Sequence, residues 1–259
     1  MHSNQSDNLC SDLTNPQFEE VTFSSGKLLL HGFIHKPEGN SPFPAIVMNH
    51  GSEQFPKSGR GIVEPYVERS YVVFFPHRRG QGYSSSQSDY IMDSINREPA
   101  ATIDKKFVEL QETHLEDTIA AISYLKQIPY VDKNRIIVVG ASFGGIQAVL
   151  ATEKQLGIAA SVAFAPAAMA WCSLPLLRSR LIKAVRSATV PIMLIQAEND
   201  YDLTPTKTMA AELEKTNKPH KLLIFPPFGT THADGHSFSV LGDRIWGDEV
   251  FSFLARVAS

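Results

Sequence analysis

The sequence predicts a doubly wound, mostly parallel α/β domain of about eight strands, with an antiparallel hairpin at its start and helices on both faces. Three observations carry that prediction. Short continuous apolar runs recur along the chain, as expected of strands buried on both faces. Helix-like stretches alternate with them, which is the signature of parallel strands joined by crossovers. Polar or glycine-rich segments follow the apolar runs directly, where ligands gather in such sheets.

Residues 1–15, rich in Ser, Asn and Asp, read as a loose tail, and residues 16–259 as one domain. Residues 18–23 and 27–35 flank Ser24-Ser25-Gly26, a hairpin by turn chemistry. His31 and His35 lie four apart on one strand face, a spacing that fits a metal pair or, more simply, two exposed strand histidines. Residues 44–48 form a third strand, which runs into Asn49-His50-Gly51-Ser52. A helical stretch is expected over 61–70 and a strand over 71–75. The loop His77-Arg78-Arg79-Gly80-Gln81-Gly82 follows. Residues 85–106 lack periodicity and read as decoration near the strand ends.

Residues 107–127 form an amphipathic helix: Leu110, Leu115, Ile119, Ile122 and Leu125 recur three to five apart, with acidic residues between them. Ile128-Pro129 stops it. A strand over 135–139 enters Gly140-Ala141-Ser142-Phe143-Gly144-Gly145, and a helix over 146–153 leaves it. Strands over 159–165, 191–195 and 221–225 follow. Helices over 176–185, 206–216 and 244–257 complete the pattern.

Composition narrows the function. Of 259 residues, 43% are hydrophobic and 20% charged, ordinary for a globular protein with a sizeable core. The net charge of −3, with no dense Lys/Arg run, argues against a nucleic-acid partner. No apolar run reaches transmembrane length, and the polar N-terminus lacks the features of a secretory signal, so a cytoplasmic location is expected, with no membrane partner. Cys10 and Cys172 form no spacing pattern, so neither a disulfide framework nor a zinc site is expected. The sequence carries no signal for or against a homo-oligomer.

G-x-S-x-G at 140–144 is a weak pattern alone; its strand–turn–helix setting raises it. Glycines at such a turn let neighbouring backbone approach, and the helix aims its first N–H groups at charge developing beside the serine. Past the later strands stand Glu198-Asn199-Asp200-Tyr201-Asp202 and Gly229-Thr230-Thr231-His232-Ala233-Asp234-Gly235-His236. Serine, acid and histidine thus occur in that order, each beyond a strand end. A serine needs such a base to take its proton, and the base needs a carboxylate to fix its tautomer. Asp200, Asp202 and, more remotely, Glu198 are candidates for the acid, and His236 and His232 for the base. A metal reading of His232-x-x-x-His236 with Asp234 is set aside because the stretch reads as a loop rather than a helix. No Walker or dinucleotide glycine pattern is present, and no cofactor is expected.

On His50-Gly51, Arg79-Gly80-Gln81-Gly82, the 140–145 turn, Glu198-Asn199-Asp200 with Pro205, and Gly235-His236, the chain resembles the α/β-hydrolase superfamily. Within it, the dienelactone hydrolase-like branch and the catalytic domains of prolyl-oligopeptidase type are the most similar. The likeness runs from about residue 18 to 254. It implies Ser142 as nucleophile, Asp200 as acid and His236 as base, with Asp202 the alternative acid. It also implies an oxyanion hole from the N–H groups of Phe143 and Ser52, with Gly51 the fallback and His50 shaping the loop. Dienelactone hydrolases carry a cysteine where Ser142 stands, and this departure turns the expectation from dienelactones to small or medium soluble esters. An amidase, peptidase or acyltransferase using the same three residues is the second expectation, and a non-catalytic binding protein the third. Arg78 and Arg79 are read either as receivers of a substrate carboxylate or as packing beneath the site. Trp171, with Met169 and Leu174, either lines a substrate pocket or belongs to a buried cluster.

Overall fold

Alternate side chains along the central strands are apolar in both directions, so each strand can be covered only by helices on its two faces. A computed structural model describes residues 18–257 and shows that arrangement. The strands are β1 (Phe18–Ser25), β2 (Leu28–His35), β3 (Phe43–Asn49), β4 (Val72–Pro76), β5 (Val131–Ala141), β6 (Ala160–Phe164), β7 (Ile192–Ala197) and β8 (His220–Phe225). They form one sheet in the order β1-β2-β4-β3-β5-β6-β7-β8. β1 and β4 both run antiparallel to β2, and every other pairing is parallel. The expected loose tail lies outside the described residues.

Ala45, Val47, Val72, Phe74, Ile136 and Val138 face one way. Packed on them are α3 (Ile103–Leu125), α4 (Phe143–Ala151) and α5 (Pro175–Arg186), with α6 (Thr204–Lys215) alongside. Ile46, Met48, Val73, Phe75, Ile137 and Val139 face the other way, beneath Tyr66 of α1 (Glu64–Val67) and Trp246, Val250 and Leu254 of α9 (Asp243–Val257). Two cores therefore share one sheet. No helix among the described residues is long and apolar enough to cross a membrane.

β3 lies between β4 and β5, so the chain reverses its direction of winding there. The crevice at the carboxyl ends of β3 and β5 is the switch point where doubly wound sheets hold ligands. Asn49 pairs in register with Gly140, so the segments leaving these two strands emerge side by side.

Three expectations change, and the stretch 85–106 gains detail. The helix over 61–70 shrinks to α1, four residues that begin at a proline-bearing turn. Residues 85–106 do hold structure: a 3-10 turn ends at Gln87, α2 (Ile91–Asn96) follows, and α3 begins at Ile103. His35 is buried rather than exposed, its Nε2 facing Ser58 O at 2.8 Å. The segment expected as a loop at 232–236 is a short helix, α7 (His232–His236), started by a capping box in which Thr231 and Asp234 each accept from the other's main-chain N–H. The glycine at 235 hid this helix, because the N-terminal cap rather than propensity decides so short an element. A further turn, α8 (Phe238–Leu241), leads into α9.

Candidate active site

Ser142 stands between β5 and α4 at φ +55°, ψ −116°, a conformation that non-glycine residues adopt only under constraint. The constraint is local packing. A Cβ on Gly140 would lie 2.2 Å from Gly144 O, and one on Gly144 would lie 2.0 Å from Asn49 O. One on Gly145 would approach Phe164 O at 2.7 Å. Ser142 N donates to Phe164 O and Ser142 O accepts from Ile146 N, both at 3.0 Å. The serine is thereby raised at the start of α4, beside the first N–H groups of that helix.

Asp200 follows β7 and is buried. Its Oδ1 lies 2.9 Å from His236 Nδ1 and accepts from Tyr201 N at 2.6 Å, while Oδ2 accepts from Gln196 Nε2 at 2.9 Å. With Nδ1–H donating to the carboxylate, the lone pair of His236 falls on Nε2, the nitrogen a general base uses. Among the described residues no hydrogen bond joins His236 Nε2 to a protein group, Ser142 Oγ included. Asp202 is turned elsewhere: it accepts from Thr204 N at 2.8 Å at the start of α6 and from Cys172 Sγ at 3.3 Å. His232 Nδ1 is engaged by Asn199 O at 2.9 Å, and Asp234 caps α7 through Thr230 N and Thr231 N. The stretch is helical, so the ground on which a metal reading was set aside does not hold; among the described residues no group of three or more His, Cys, Asp or Glu is gathered to hold an ion.

Asn199 ties the two loops together. Its side chain accepts from Phe228 N at 2.8 Å and donates to Phe228 O at 2.9 Å and Thr231 O at 2.8 Å. Gly235 allows the close approach, since a Cβ there would lie 2.7 Å from Asn199 Oδ1 and Asp200 N. The Tyr201 ring closes the outer side, 5.5 Å from the His236 ring and edge-on to it.

On the other flank, residues 51–58 cross the crevice with no regular structure, and their carbonyls are held from outside. Arg78 Nη2 donates to Gly51 O at 2.6 Å, Tyr90 Oη to Ser52 O at 2.5 Å, Gln81 Nε2 to Glu53 O at 2.7 Å, and Gly82 N to Gln54 O at 2.7 Å. His77 Nε2 meets Lys57 O at 2.5 Å. His77 Nδ1 accepts from Tyr83 N at 3.0 Å, which fixes the proton on Nε2. Burial pushes the His77 pKa down to about 4, and those of His50 and His114 well below the usual histidine value, with the charge of Arg78 adding to each.

Residues 30–244 match the family model of the dienelactone hydrolase family. The chain belongs to that family. Its fold is the α/β-hydrolase fold, and it is a member of a hydrolase family with structural relatives among peptidases. The quorum-quenching protein AidA of Acinetobacter baumannii is 28% identical over 140 residues, 53% of this chain and 40% of its own. The chain spans less than half the length of the curated relatives it matches. Among solved structures, an acylaminoacyl peptidase of Pyrococcus horikoshii overlays 93% of the chain, and 42% of its own, with a TM-score of 0.73 at 19% identity. A Klebsiella pneumoniae protein assigned to the dienelactone hydrolases overlays 92% of the chain and 98% of its own, with a TM-score of 0.67 at 15% identity.

For a dienelactone hydrolase family member, the two arginines beyond β4 are both engaged by protein. Arg79 is gripped by Asp117 through Nε and Nη2, at 2.6 to 3.0 Å, and by Glu116 at 3.2 Å. Arg78 is wholly buried, its Nη2 turned to Gly51 O and to His50. The carboxylates on Arg79 favour the packing alternative for that residue, whereas Nε and Nη1 of Arg78 are buried with no hydrogen-bond partner among the described residues. Trp171 and Leu174 are buried in the core with Ala167 and Leu177, and Met169 alone of that group is exposed. Sequence reasoning missed Gln196, Asn199 and Tyr90. The first two closely precede Asp200 in the chain, so proximity offered a signal; Tyr90, in a stretch without periodicity, offered none.

Proposed function

We propose that this protein is a serine hydrolase that cleaves carboxylic esters of small or medium soluble substrates. The observation that carries the reading is Ser142 at φ +55° in its glycine-packed turn after β5, with the Asp200–His236 pair assembled beyond β7 and β8 of the same sheet. In this mechanism His236 Nε2 takes the Ser142 proton as Oγ attacks the ester carbonyl. Asp200 holds the imidazole in the required tautomer and stabilises the imidazolium. The N–H groups of Phe143 and Ser52 receive the developing oxyanion, with the start of α4 contributing favourable charge. His236 then gives its proton to the leaving alcohol, and water clears the acyl-enzyme by the same route.

The test pairs a chromogenic short-chain ester with a fluorophosphonate probe. Wild-type protein should turn over the ester and be labelled on Ser142, and Ser142→Ala should do neither. Full activity in Ser142→Ala refutes the assignment, and a wild-type protein inert to both reagents supports a binding protein instead. The likeness to acylaminoacyl peptidase favours a second reading, cleavage of amide or peptide bonds by the same residues. Matched ester and anilide substrates separate the two: an anilide rate comparable to the ester rate moves the assignment to the peptidase side.

A further inference from the structure

Four successive carbonyls beyond β3, those of Gly51, Ser52, Glu53 and Gln54, each accept a hydrogen bond from the segment 78–90, at 2.5 to 2.7 Å. The side chains of Glu53, Gln54 and Phe55 are exposed, so packing within the loop does not hold its backbone. Its conformation is imposed from the β4 side. The Gly51 carbonyl and the Ser52 N–H belong to one peptide plane, and in a trans peptide they point in opposite directions. Drawing Gly51 O back onto Arg78 therefore turns Ser52 N–H away from Arg78. Tyr90 fixes the next plane by its carbonyl, so the two peptide planes that flank Ser52 are both fixed.

Arg78 and Arg79 are neighbours with opposite uses. Arg79 is neutralised by Asp117, an arrangement that stabilises the fold. Among the described residues, Arg78 is fully buried with no carboxylate in salt-bridge range; its guanidinium acceptors are Gly51 O and His50, and its Nε and Nη1 have none. An unpaired buried cation is costly, and a fold selected for stability alone would not favour it. Directed at a carbonyl, the charge also polarises the peptide and makes the N–H at its other end a stronger donor.

We infer that residues 78–90 form a clamp that aims and strengthens the Ser52 N–H as an oxyanion donor, with Arg78 and Tyr90 as its positioning residues. The inference rests on the serine-hydrolase reading above and adds to it the part that sets the hole.

The test measures kcat and KM on a short-chain chromogenic ester, together with the affinity of a matching trifluoromethyl ketone. The serine oxygen adds to the ketone's carbonyl carbon as the C=O π bond opens, its proton passes to His236 Nε2, and the carbonyl oxygen becomes the oxyanion. Tyr90→Phe, which removes one hydroxyl, should lower kcat about threefold to tenfold with KM nearly unchanged, and should weaken the ketone by the same factor. Arg78→Met should lower both by about 10²–10³, the usual effect of losing one oxyanion donor, with partial rescue in Arg78→Lys. If Arg78→Met does not fold, Tyr90→Phe decides. Variants that lose thermal stability but keep kcat and ketone affinity overturn the clamp. A wild-type protein that does not form the ketone adduct overturns the underlying reading instead, so the two failures are distinct.

Discussion

The turn at 140–145 and the loop at 51–58 stand on neighbouring strands, and they are built in opposite ways. The first supports itself: three glycines admit backbone to within contact distance, and the serine conformation follows from that packing. The second has no support of its own and takes its shape from donors on β2 and on the segment beyond β4. One acts through a side chain and the other through its main chain. On the proposed reading, the difference teaches that such a site needs a rigid nucleophile, whereas its anion-binding half can be adjusted from a distance.

The largest effect should come from the side chain of the self-supporting turn. Ser142→Ala should lower kcat/KM by about 10⁴-fold or more, as removal of a triad nucleophile does, with little change in thermal stability. Next is the packing itself. Gly144→Ala forces a Cβ onto the Asn49 carbonyl and should cost about 3 kcal/mol or more, visible as a Tm lower by roughly 6–12 °C or as failure to fold. A Gly144→Ala protein of unchanged Tm would show that the turn is not self-supporting.

Acid should act on the loop side. His50, His77 and His114 surround Arg78 and the 51–58 segment, and all three are held neutral by burial. Unfolded, each binds a proton near pH 6.5, whereas His77 in the folded protein waits until about pH 4. The unfolded chain therefore binds more protons below pH 6.5, and stability falls as the pH drops through that range. The slope is about 1.4 kcal/mol per pH unit for each histidine. His77 stops contributing below about pH 4. Chemical denaturation at pH 7.5, 6 and 5 measures the slope, and a flat profile would remove these groups from the account. The smallest effect is expected at Gln54, whose exposed side chain makes no hydrogen bond: Gln54→Ala should leave ester turnover within about twofold.

The same contrast explains what the sequence made legible. Apolar runs marked the strands of the sheet because burial on both faces leaves little freedom of composition. The turn at Ser142 was readable because its requirements are local, a glycine two residues to either side. Asp200 was preferred to Asp202 only through its place before Pro205 in the family resemblance; the hydrogen bonds that tell the two apart, with Gln196 and His236 for one and Thr204 for the other, are placed by the fold. Tyr90 was illegible, since its partner lies 38 residues away and its surroundings carry no periodicity. The helix at 232–236 was missed because its start is set by one Thr–Asp exchange rather than by propensity.

Asn199 binds the acid loop to the histidine loop through main-chain groups on both sides of the gap. The two loops should thus breathe as one cooperative unit. Amide hydrogens at Phe228 and Gly235 would exchange with deuterium at a shared opening free energy, and an acid parted from its imidazole would be a state the protein visits only when the whole block lifts away.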